Sequence, residues 1–246
     1  EEADLVLYAG SLVNEALLKY CSPGCIAVDS SPLPLEEQVA LMAAKVGDGG
    51  RVVRLHTGDP SLFGAVAEQK ERLESLGIKV RFIPGVSSFQ AAASALGIQY
   101  TVPGGSQTVV CTRRSGRTPV PPRENLRLLA EHGATMVVFL SADQAEEVSA
   151  DLQAGGFSAE TPAACVYRAS WEDEKTIVST LGALPSLMAE HGITRHALIV
   201  VGECVASHGA RSLLYSPHFA HGARDAAPAQ GDGKQTLVSP EGACEA

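Results

Sequence analysis

Short apolar runs rich in β-branched residues alternate with helical patterns through residues 5–97, and this alternation limits the fold more than any other feature of the sequence. The runs predict strands at Leu5–Tyr8, Cys25–Val28, Arg51–Leu55 and Lys79–Ile83. Between them, apolar residues spaced three and four apart predict helices at Leu35–Val46, Ala65–Leu76 and Ser87–Leu96, each followed by a glycine. Strands and helices in turn, joined by short loops, predict an α/β fold with a parallel sheet, helices on its faces and right-handed crossovers.

The alternation breaks at Tyr100–Gln107, which holds Pro103, Gly104 and Gly105, and a domain boundary is predicted there. Later strands are predicted at Thr108–Cys111, Thr135–Leu140, Ala163–Tyr167, Lys175–Thr180 and His196–Val201. Helices are predicted at Asn125–His132, from an Asp143 cap to Gln153, and at Leu184–His191. We therefore expect an N-terminal α/β domain over 1–104, a C-terminal α/β domain over 105–219, and a disordered tail over 220–246.

Charge and composition exclude several classes of protein. The 246 residues carry a net charge of −9, which argues against a general nucleic-acid binder, because such proteins present basic surfaces. Six cysteines spread along a chain long enough to bury a full core predict free thiols in a reducing compartment. The longest uncharged stretch, Phe82–Thr112, is broken by prolines and glycines and does not predict a membrane span. With no signal-peptide pattern at its acidic start, the chain is expected to be soluble and cytoplasmic.

Two turns that follow predicted strands are the first candidates for chemistry. His56–Gly64 has Thr-Gly-Asp-Pro near its start, and Pro84–Ser88 reads Pro-Gly-Val-Ser-Ser. The carboxyl ends of strands in an open α/β sheet form the ligand crevice, so both turns are expected to face one site. Gly58 would let a ligand approach the backbone, and Asp59 could accept from an ammonium or a hydroxyl. Local chemistry leaves open a plain Gly-Asp-Pro helix cap and an ordinary serine N-cap.

Two later segments also combine unusual residues. The basic loop over residues 113–123 carries four arginines and no acid, at positions Arg113, Arg114, Arg117 and Arg123. Because the guanidinium fork suits carboxylate or phosphate, an anionic ligand is one interpretation and a solvated loop is the other. Val166–Glu174 follows a predicted strand and contains the only tryptophan, Trp171. A solvated hairpin with a half-buried tryptophan is the alternative there.

Several sites of other chemistry are not indicated. Neither G-x-G-x-x-G nor G-x-x-x-x-G-K-[ST] occurs, so the sequence predicts neither a Rossmann nor a P-loop site. Cys21 with Cys25, and His218 with His221, lack a second pair at zinc spacing, so no metal site is predicted. The spacings also identify no catalytic acid, base or nucleophile.

Taken together, these segments resemble the tetrapyrrole methylases, the class III S-adenosylmethionine methyltransferases. The matching segments are Asp4–Val13, Thr57–Gly64, Pro84–Ser88, Ser106–Thr108, Arg117–Pro119, Val138–Ser141, Tyr167–Glu172 and Ala197–Gly202. The Thr-Gly-Asp-Pro and Pro-Gly-Val-Ser-Ser pair is typical of the whole family. Tyr-Arg-Ala-Ser-Trp-Glu and Tyr-Ala-Gly-Ser-Leu-Val are similar to the branch that methylates carbon C11 of precorrin-4 or cobalt-precorrin-4 in cobalamin biosynthesis.

The resemblance implies two α/β domains with S-adenosylmethionine in the cleft between them, S-adenosylhomocysteine as product, and a homodimer. By this likeness, the expected cofactor-binding residues are Thr57, Gly58, Asp59, Leu62, Phe63, Ser87, Ser88, Leu140, Tyr167, Arg168, Ala169 and Ala197. Candidates to bind the carboxylates of a tetrapyrrole substrate are Arg113, Arg114 and Arg117. Catalysis would then rest on positioning of the reacting atoms, without a catalytic side chain. Neither nucleic acid nor membrane is expected as a partner.

The resemblance has one departure, at the beginning of the sequence. Family members begin with a strand and a Gly-rich turn, whereas Glu1–Ala3 matches the end of the helix that follows them. Because that strand lies inside the sheet, its neighbours are expected to show unpaired backbone groups. Methylation of another ring carbon, such as C17 or C2/C20, stays open as an alternative. A module that binds S-adenosylmethionine without turning it over is a second alternative, which the missing turn favours.

Overall fold

A computed structural model describes residues 1–206, 212–220, 222 and 225. The strands are β1 Leu5–Tyr8, β2 Ile26–Asp29, β3 Val52–Leu55, β4 Val109–Arg113, β5 Thr135–Phe139, β6 Pro162–Tyr167, β7 Lys175–Thr180 and β8 Ala197–Val201. The α-helices are α1 Leu35–Gly47, α2 Val66–Ser75, α3 Ser88–Leu96, α4 Leu126–Ala130, α5 Ala145–Ala154 and α6 Leu184–Glu190. Within the part of the chain that the structure describes, no helix has the length and apolarity to cross a bilayer.

The first sheet has three parallel strands in the order β2-β1-β3. All four residues of β1 are buried, as a central strand with covered faces requires. Its inward side chains Leu5 and Leu7 pack with Val39 and Met42 of α1 and Leu73 of α2. The spacing that predicted α1 therefore marks the face that covers this sheet.

The second sheet has five strands in the order β4-β5-β8-β6-β7. Only β4 and β5 run parallel, and β8 lies between β5 and β6 antiparallel to both. Because β8 runs the opposite way, its first residue Ala197 lies beside Tyr167, the last residue of β6. The carboxyl ends of β4, β5 and β6 and the amino end of β8 therefore share one edge of the sheet.

Helix α3 comes from the first half of the chain but packs on the second sheet. Its Ala92 is fully buried in a cluster with Val137, Val166 and Val200. Gln90 accepts a hydrogen bond from the Ser87 backbone N–H at 3.0 Å, and Gly97 ends the helix at φ 65°. The helix thus connects the end of the Pro84–Ser88 turn to the second sheet.

Most predicted elements are confirmed, with ends that shift by one to three residues, and the α/β class is confirmed. Asp143 is not a helix cap, because Ala142–Gln144 form a 3-10 turn ahead of α5. The division at residue 104 stays a prediction. Apart from Ala220, Gly222 and Asp225, the tail predicted over 220–246 lies outside the described residues.

The predicted strand Lys79–Ile83 is wrong as secondary structure. Within the described residues, the backbone groups of 79–84 make no backbone hydrogen bond, and the outer edge of β3 has no paired strand. A cavity of about 850 Å³ lies between them, lined on one side by Val52–His56 and on the other by Ile78–Ile83. The segment has strand-forming residues but no neighbour to pair with, so the ladder cannot form.

The position of this cavity is suited to an extended strand, because it lies along the outer edge of β3, which has no paired strand among the described residues. Filling the gap with an apolar strand should pair both exposed edges and bury Val53, Phe82 and Ile83, which are 44, 46 and 59% exposed. Each kcal/mol gained should raise the melting temperature by about 2–4 °C in a chain of this size.

An N-terminal extension that carries an apolar strand, a Gly-rich turn and a crossover helix should therefore raise the melting temperature in calorimetry. It should also slow amide exchange in Val52–Leu55 and Lys79–Ile83. An extension of equal length built from glycine and serine is the matched control. Equal melting temperatures and exchange rates for the two extensions would show that the gap is not a place for a strand.

Candidate functional site

The two turns predicted to share a crevice lie against each other. A Cβ atom added to Gly85 would stand 2.3 Å from the Gly58 carbonyl oxygen, and one added to Gly58 would stand 3.2 Å from the Ser88 nitrogen. Gly58 also has φ +67°, in the left-handed region that favours glycine. Backbone meets backbone here with no room for a side chain, so the turns form one continuous edge.

Asp59 holds the two turns together. Its Oδ2 accepts from the Gly85 N–H at 2.8 Å, and its Oδ1 accepts from the Ser61 N–H at 2.8 Å. The Ser61 hydroxyl also donates to Oδ1. These donors, the Ser61 hydroxyl first, lower the pKa of Asp59, because they stabilise the charged carboxylate. The carboxylate therefore connects the two turns, and its remaining lone pairs are available to a ligand.

A third loop, Ala9–Val13 after β1, is fixed to the same edge. The Thr57 hydroxyl donates to the Leu12 carbonyl at 2.6 Å, and the Gly10 N–H donates to Asp29 Oδ1 at 2.8 Å. Thr57, predicted as a cofactor residue, is thus also an anchor of this loop. Asp29 is not among the sequence-predicted site residues, although its position directly after an apolar run was an available signal.

Strained backbone marks the edges of both sheets. Six non-glycine residues in the described part of the chain have positive φ: Phe63, Ala65, Leu140, Arg168, Ser170 and His196. They follow β3, β5 or β6, or precede β8, so they lie at the carboxyl edge of the first sheet and the shared edge of the second. Such conformations cost roughly 1–3 kcal/mol each and concentrate at ligand sites, where surrounding packing maintains them.

An aromatic contact joins the two edges. The Phe63 ring, from the turn after β3, lies 4.9 Å from the ring of Phe139, the last residue of β5. Phe63 is 44% exposed, and Leu140, the residue after Phe139, is 62% exposed. Two predicted cofactor residues from different halves of the chain therefore present apolar surface on adjoining edges. We call the space bordered by the two turns and this edge of the second sheet the crevice.

The end of β6 supplies a stacked group of polar and aromatic side chains. The Arg168 guanidinium lies 5.2 Å from the Tyr167 ring centre and 4.8 Å from that of Trp171, and it pairs with Asp173 at 2.6 Å. Trp171 is half-buried against His196. The segment is therefore an ordered part of the edge rather than only a solvated hairpin.

The other predicted cofactor residues fall on the same edges. Ser87 is buried and caps α3, which matches the ordinary N-cap alternative, and Ser88 is half-buried beside Gly58. The predicted cofactor residues not yet described are half-buried: Leu62, Ala169 and Ala197. The structure brings the predicted set together, and their contacts with a cofactor stay a prediction.

The three arginines predicted to bind substrate differ in their surroundings. Arg113 donates to the carbonyls of Thr118 and Pro119 at 2.9 and 2.8 Å, so it braces its own loop. Arg114 donates to Asp151 at 2.7 Å and to Gln144 at 2.6 Å. Arg117 is exposed, and no hydrogen bond or ion pair of its side chain occurs among the described residues.

Comparisons with known proteins agree with this arrangement. The family described as Tetrapyrrole (Corrin/Porphyrin) Methylases matches residues 1–185. A cobalt-precorrin-4 C(11)-methyltransferase of Methanocaldococcus jannaschii is 47% identical over 90% of this chain and 86% of its own length. A precorrin-4 C(11)-methyltransferase of Mycobacterium tuberculosis is 44% identical over 88% of this chain and 87% of its own length.

Solved structures show the same similarity. A cobalt precorrin-4 methyltransferase, a cobalamin biosynthetic enzyme, superposes with a TM-score of 0.81 at 40% identity, covering 83% of this chain and 86% of its own. A uroporphyrin-III C-methyltransferase from Thermus thermophilus, complexed with S-adenosylhomocysteine, superposes with a TM-score of 0.67 at 28% identity, covering 83% and 87%.

The different surroundings of the arginines predict different effects on stability. Arg114→Ala should lower the free energy of unfolding in urea by about 1–2 kcal/mol, because a partly buried ion pair and a charged hydrogen bond are lost. Arg117→Ala, the matched control, should change it by less than about 0.5 kcal/mol, as exposed substitutions do. Equal losses for both variants would contradict these separate roles.

Proposed function

Because the chain belongs to the tetrapyrrole methylase family, we propose that it transfers a methyl group from S-adenosylmethionine to carbon C11 of precorrin-4 or cobalt-precorrin-4, a step of cobalamin biosynthesis. The observation that carries the proposal is the pair of relatives with 47 and 44% identity over about nine-tenths of this chain, both of which act at C11 by name. At this identity the Thr-Gly-Asp-Pro and Tyr-Arg-Ala-Ser-Trp-Glu segments support a shared site as well as a shared fold.

The crevice fits the chemistry of S-adenosylmethionine. That molecule joins an ammonium and a carboxylate at one end to an aromatic base at the other. On this chain the charged Asp59 lies at one border, and the exposed apolar surface of Leu140 lies at the other. Gly58 gives the close approach that a ligand at the backbone needs. The bound S-adenosylhomocysteine of the Thermus relative supports this choice of ligand.

We assign the cofactor residues by their place in the crevice. Thr57, Gly58 and Asp59, with Leu62 and Phe63, hold the methionine end, and Ser87 and Ser88 lie beside it. The adenosine end is held by residues of the second sheet: Leu140, Tyr167, Arg168, Ala169 and Ala197. Leu140 and Arg168 both have positive φ, a backbone conformation that concentrates at ligand sites, which supports their place in this group.

The work of the protein is to place the reacting atoms. When bound, S-adenosylmethionine supplies an activated methyl on a sulfonium, whose sulfur keeps the electron pair of the broken carbon–sulfur bond. The crevice residues hold the donor and seat the macrocycle so that the ring carbon lies in line with it, which is where the rate gain arises. C11 becomes quaternary and has no proton to lose, so no side chain is required as a base there.

Arginines of the basic loop recognise the carboxylates of the substrate. Arg117 is the main candidate for this role, because its guanidinium makes no hydrogen bond or ion pair among the described residues. Arg113 and Arg114 shape the loop that presents it. We also propose a homodimer in the cytoplasm. The free thiols of the five described cysteines support a reducing compartment.

A methylase of another ring carbon is the second candidate. The uroporphyrin-III methyltransferase structure favours it, because it has the same fold at 28% identity. Incubation of the chain with precorrin-4 and ¹³C-methyl S-adenosylmethionine, followed by NMR of the product, separates the two by the labelled carbon. Binding of the cofactor without any labelled product would instead identify a binding module.

Loss of the Asp59 carboxylate should weaken cofactor binding. Asp59→Ala removes the acceptor that joins both turns and should reduce S-adenosylhomocysteine affinity about tenfold or more in calorimetry. Asp48→Ala, an exposed position at the end of α1, is the matched control and should leave affinity unchanged. If the Asp59→Ala variant binds with the affinity of the parent, Asp59 is not part of the cofactor site.

Loss of the free guanidinium should affect the substrate and not the cofactor. Arg117→Ala should raise KM for the tetrapyrrole about five- to tenfold and leave S-adenosylhomocysteine affinity unchanged, because one exposed ion pair is removed. The parent should show the steeper dependence of KM on salt, since exposed charges are screened. Arg123→Ala in the same loop is the control. An unchanged KM for Arg117→Ala would show that Arg117 does not bind the substrate and that the loop is only solvated surface.

A further inference from the structure

Asp29 is a carboxylate at the carboxyl edge of the first sheet that neither motif nor family likeness singles out. It is the last residue of β2, and its partner in the parallel register is Tyr8, the last residue of β1. Because β1 is the central strand, the Ala9–Val13 loop that follows it has the end of β2 on one side and the end of β3 on the other. Asp29 therefore borders the loop from the side away from the His56–Gly64 turn.

Asp29 binds the loop through a single carboxylate oxygen. Its Oδ1 accepts from the Gly10 N–H at 2.8 Å, and from the N–H and the hydroxyl of Ser31 at 2.9 and 2.7 Å. These donors, the Ser31 hydroxyl first, lower the pKa of Asp29, because they stabilise the charged carboxylate. The two bonds from Ser31 fix the direction of the carboxylate, so Oδ1 is an acceptor already oriented toward Gly10.

The fit between Asp29 and Gly10 leaves no room for a side chain. A Cβ atom added to Gly10 would stand 2.7 Å from Oδ2 of Asp29 and 2.9 Å from its Cγ. Gly10 is not one of the residues with positive φ, so a larger residue there would meet the carboxylate and would not be strained by its backbone. The glycine is therefore required for its close approach to Asp29.

The other side of the loop is fixed to the His56–Gly64 turn. The Thr57 hydroxyl donates to the Leu12 carbonyl at 2.6 Å. The Leu12 and Val13 N–H groups both donate to the Ala9 carbonyl at 2.9 Å, so the loop is one compact turn. The bond from Asp29 and the bond to Thr57 therefore hold the two ends of a single structural unit.

We propose that Asp29 is a positioning residue for cofactor binding, which acts through the Ala9–Val13 loop on Thr57. Asp29 orders the loop, and the loop carbonyl orients the Thr57 hydroxyl at the start of the turn that continues into Gly58 and Asp59. A turn ordered before binding lowers the entropic cost of binding. We assign Asp29 no contact with the cofactor, and the inference rests on the proposed function for its binding readout.

Asp4 provides a matched control at the opposite edge of the same sheet. Its Oδ2 accepts from the Arg51 N–H at 2.7 Å, and these residues directly precede β1 and β3. Asp4 and Asp29 are both exposed, and each accepts a bond from backbone beside a neighbouring strand. Loss of either carboxylate removes a similar bond from the sheet, but only Asp29 lies at the edge that holds the two turns.

Substitutions at the two positions separate positioning from general stability. In calorimetry, Asp29→Ala should weaken S-adenosylhomocysteine binding about fivefold, because the ligand must then order the loop and the turn. Asp29→Asn should keep nearly the affinity of the parent, since all three bonds end on one oxygen and an amide oxygen can accept them. Asp4→Ala should bind as the parent does.

A double-mutant cycle with Gly10 tests the contact itself. Gly10→Ala should displace the carboxylate from its bond with the loop and weaken binding about as much as Asp29→Ala. Added to Asp29→Ala, it should have no further effect, because the carboxylate that it would displace is already absent. Losses that simply add in the double variant would show that the two residues act independently.

A second measurement does not depend on the cofactor. Amide exchange of the Ala9–Val13 loop should be faster in Asp29→Ala than in Asp29→Asn, while that of β5 should be the same in both. Four results would each overturn the proposal: parent affinity in Asp29→Ala, an equal loss in Asp4→Ala, an equal loss in Asp29→Asn, or unchanged exchange in the loop. A parent that binds no S-adenosylhomocysteine, with loop exchange as expected, would instead contradict the proposed function.

Discussion

The close contact between the Gly58 and Gly85 backbones is the constraint on which the rest of the site depends. Because a Cβ on Gly85 would stand 2.3 Å from the Gly58 carbonyl, these turns can meet only where no side chain intervenes. Asp59 then converts this proximity into a defined geometry by accepting from both turns. The end of the second turn starts α3, whose Ala92 is fully buried on the second sheet. This backbone contact thereby links an edge of the first sheet to a helix that packs on the second.

Local sequence predicted what depends on neighbours along the chain. The four-residue run of β1, the apolar spacing of α1 and the serine cap of α3 are all confirmed, because burial, helix periodicity and capping act over a few residues. The Thr-Gly-Asp-Pro and Pro-Gly-Val-Ser-Ser turns also lie together, because strand ends in an α/β sheet converge. The prediction of a strand at Lys79–Ile83 is wrong because a strand needs a paired neighbour as well as suitable residues.

Long-range pairing accounts for what the sequence did not predict. The insertion of β8 between β5 and β6 brings His196 beside Arg168, and no local pattern encodes that order. The same holds for Asp151, which lies 37 residues from Arg114 along the chain and forms a partly buried ion pair with it. Residue type indicated that Arg114 would meet an anion, but only the fold decides which anion.

The stability of the first sheet and ligand binding at the crevice depend on the same backbone segments, which border the cavity beside β3. The lining of the cavity includes Gly58, Pro60 and Gly85, which also form the two touching turns. The strand that leads into the first turn, β3, is paired on one edge only, by β1. A strand in the cavity would pair β3 on its other edge, restrict both turns and lower the ordering cost of any ligand that binds them. Ligand affinity at the crevice should therefore rise together with the stability of the first sheet, because the same backbone groups contribute to both.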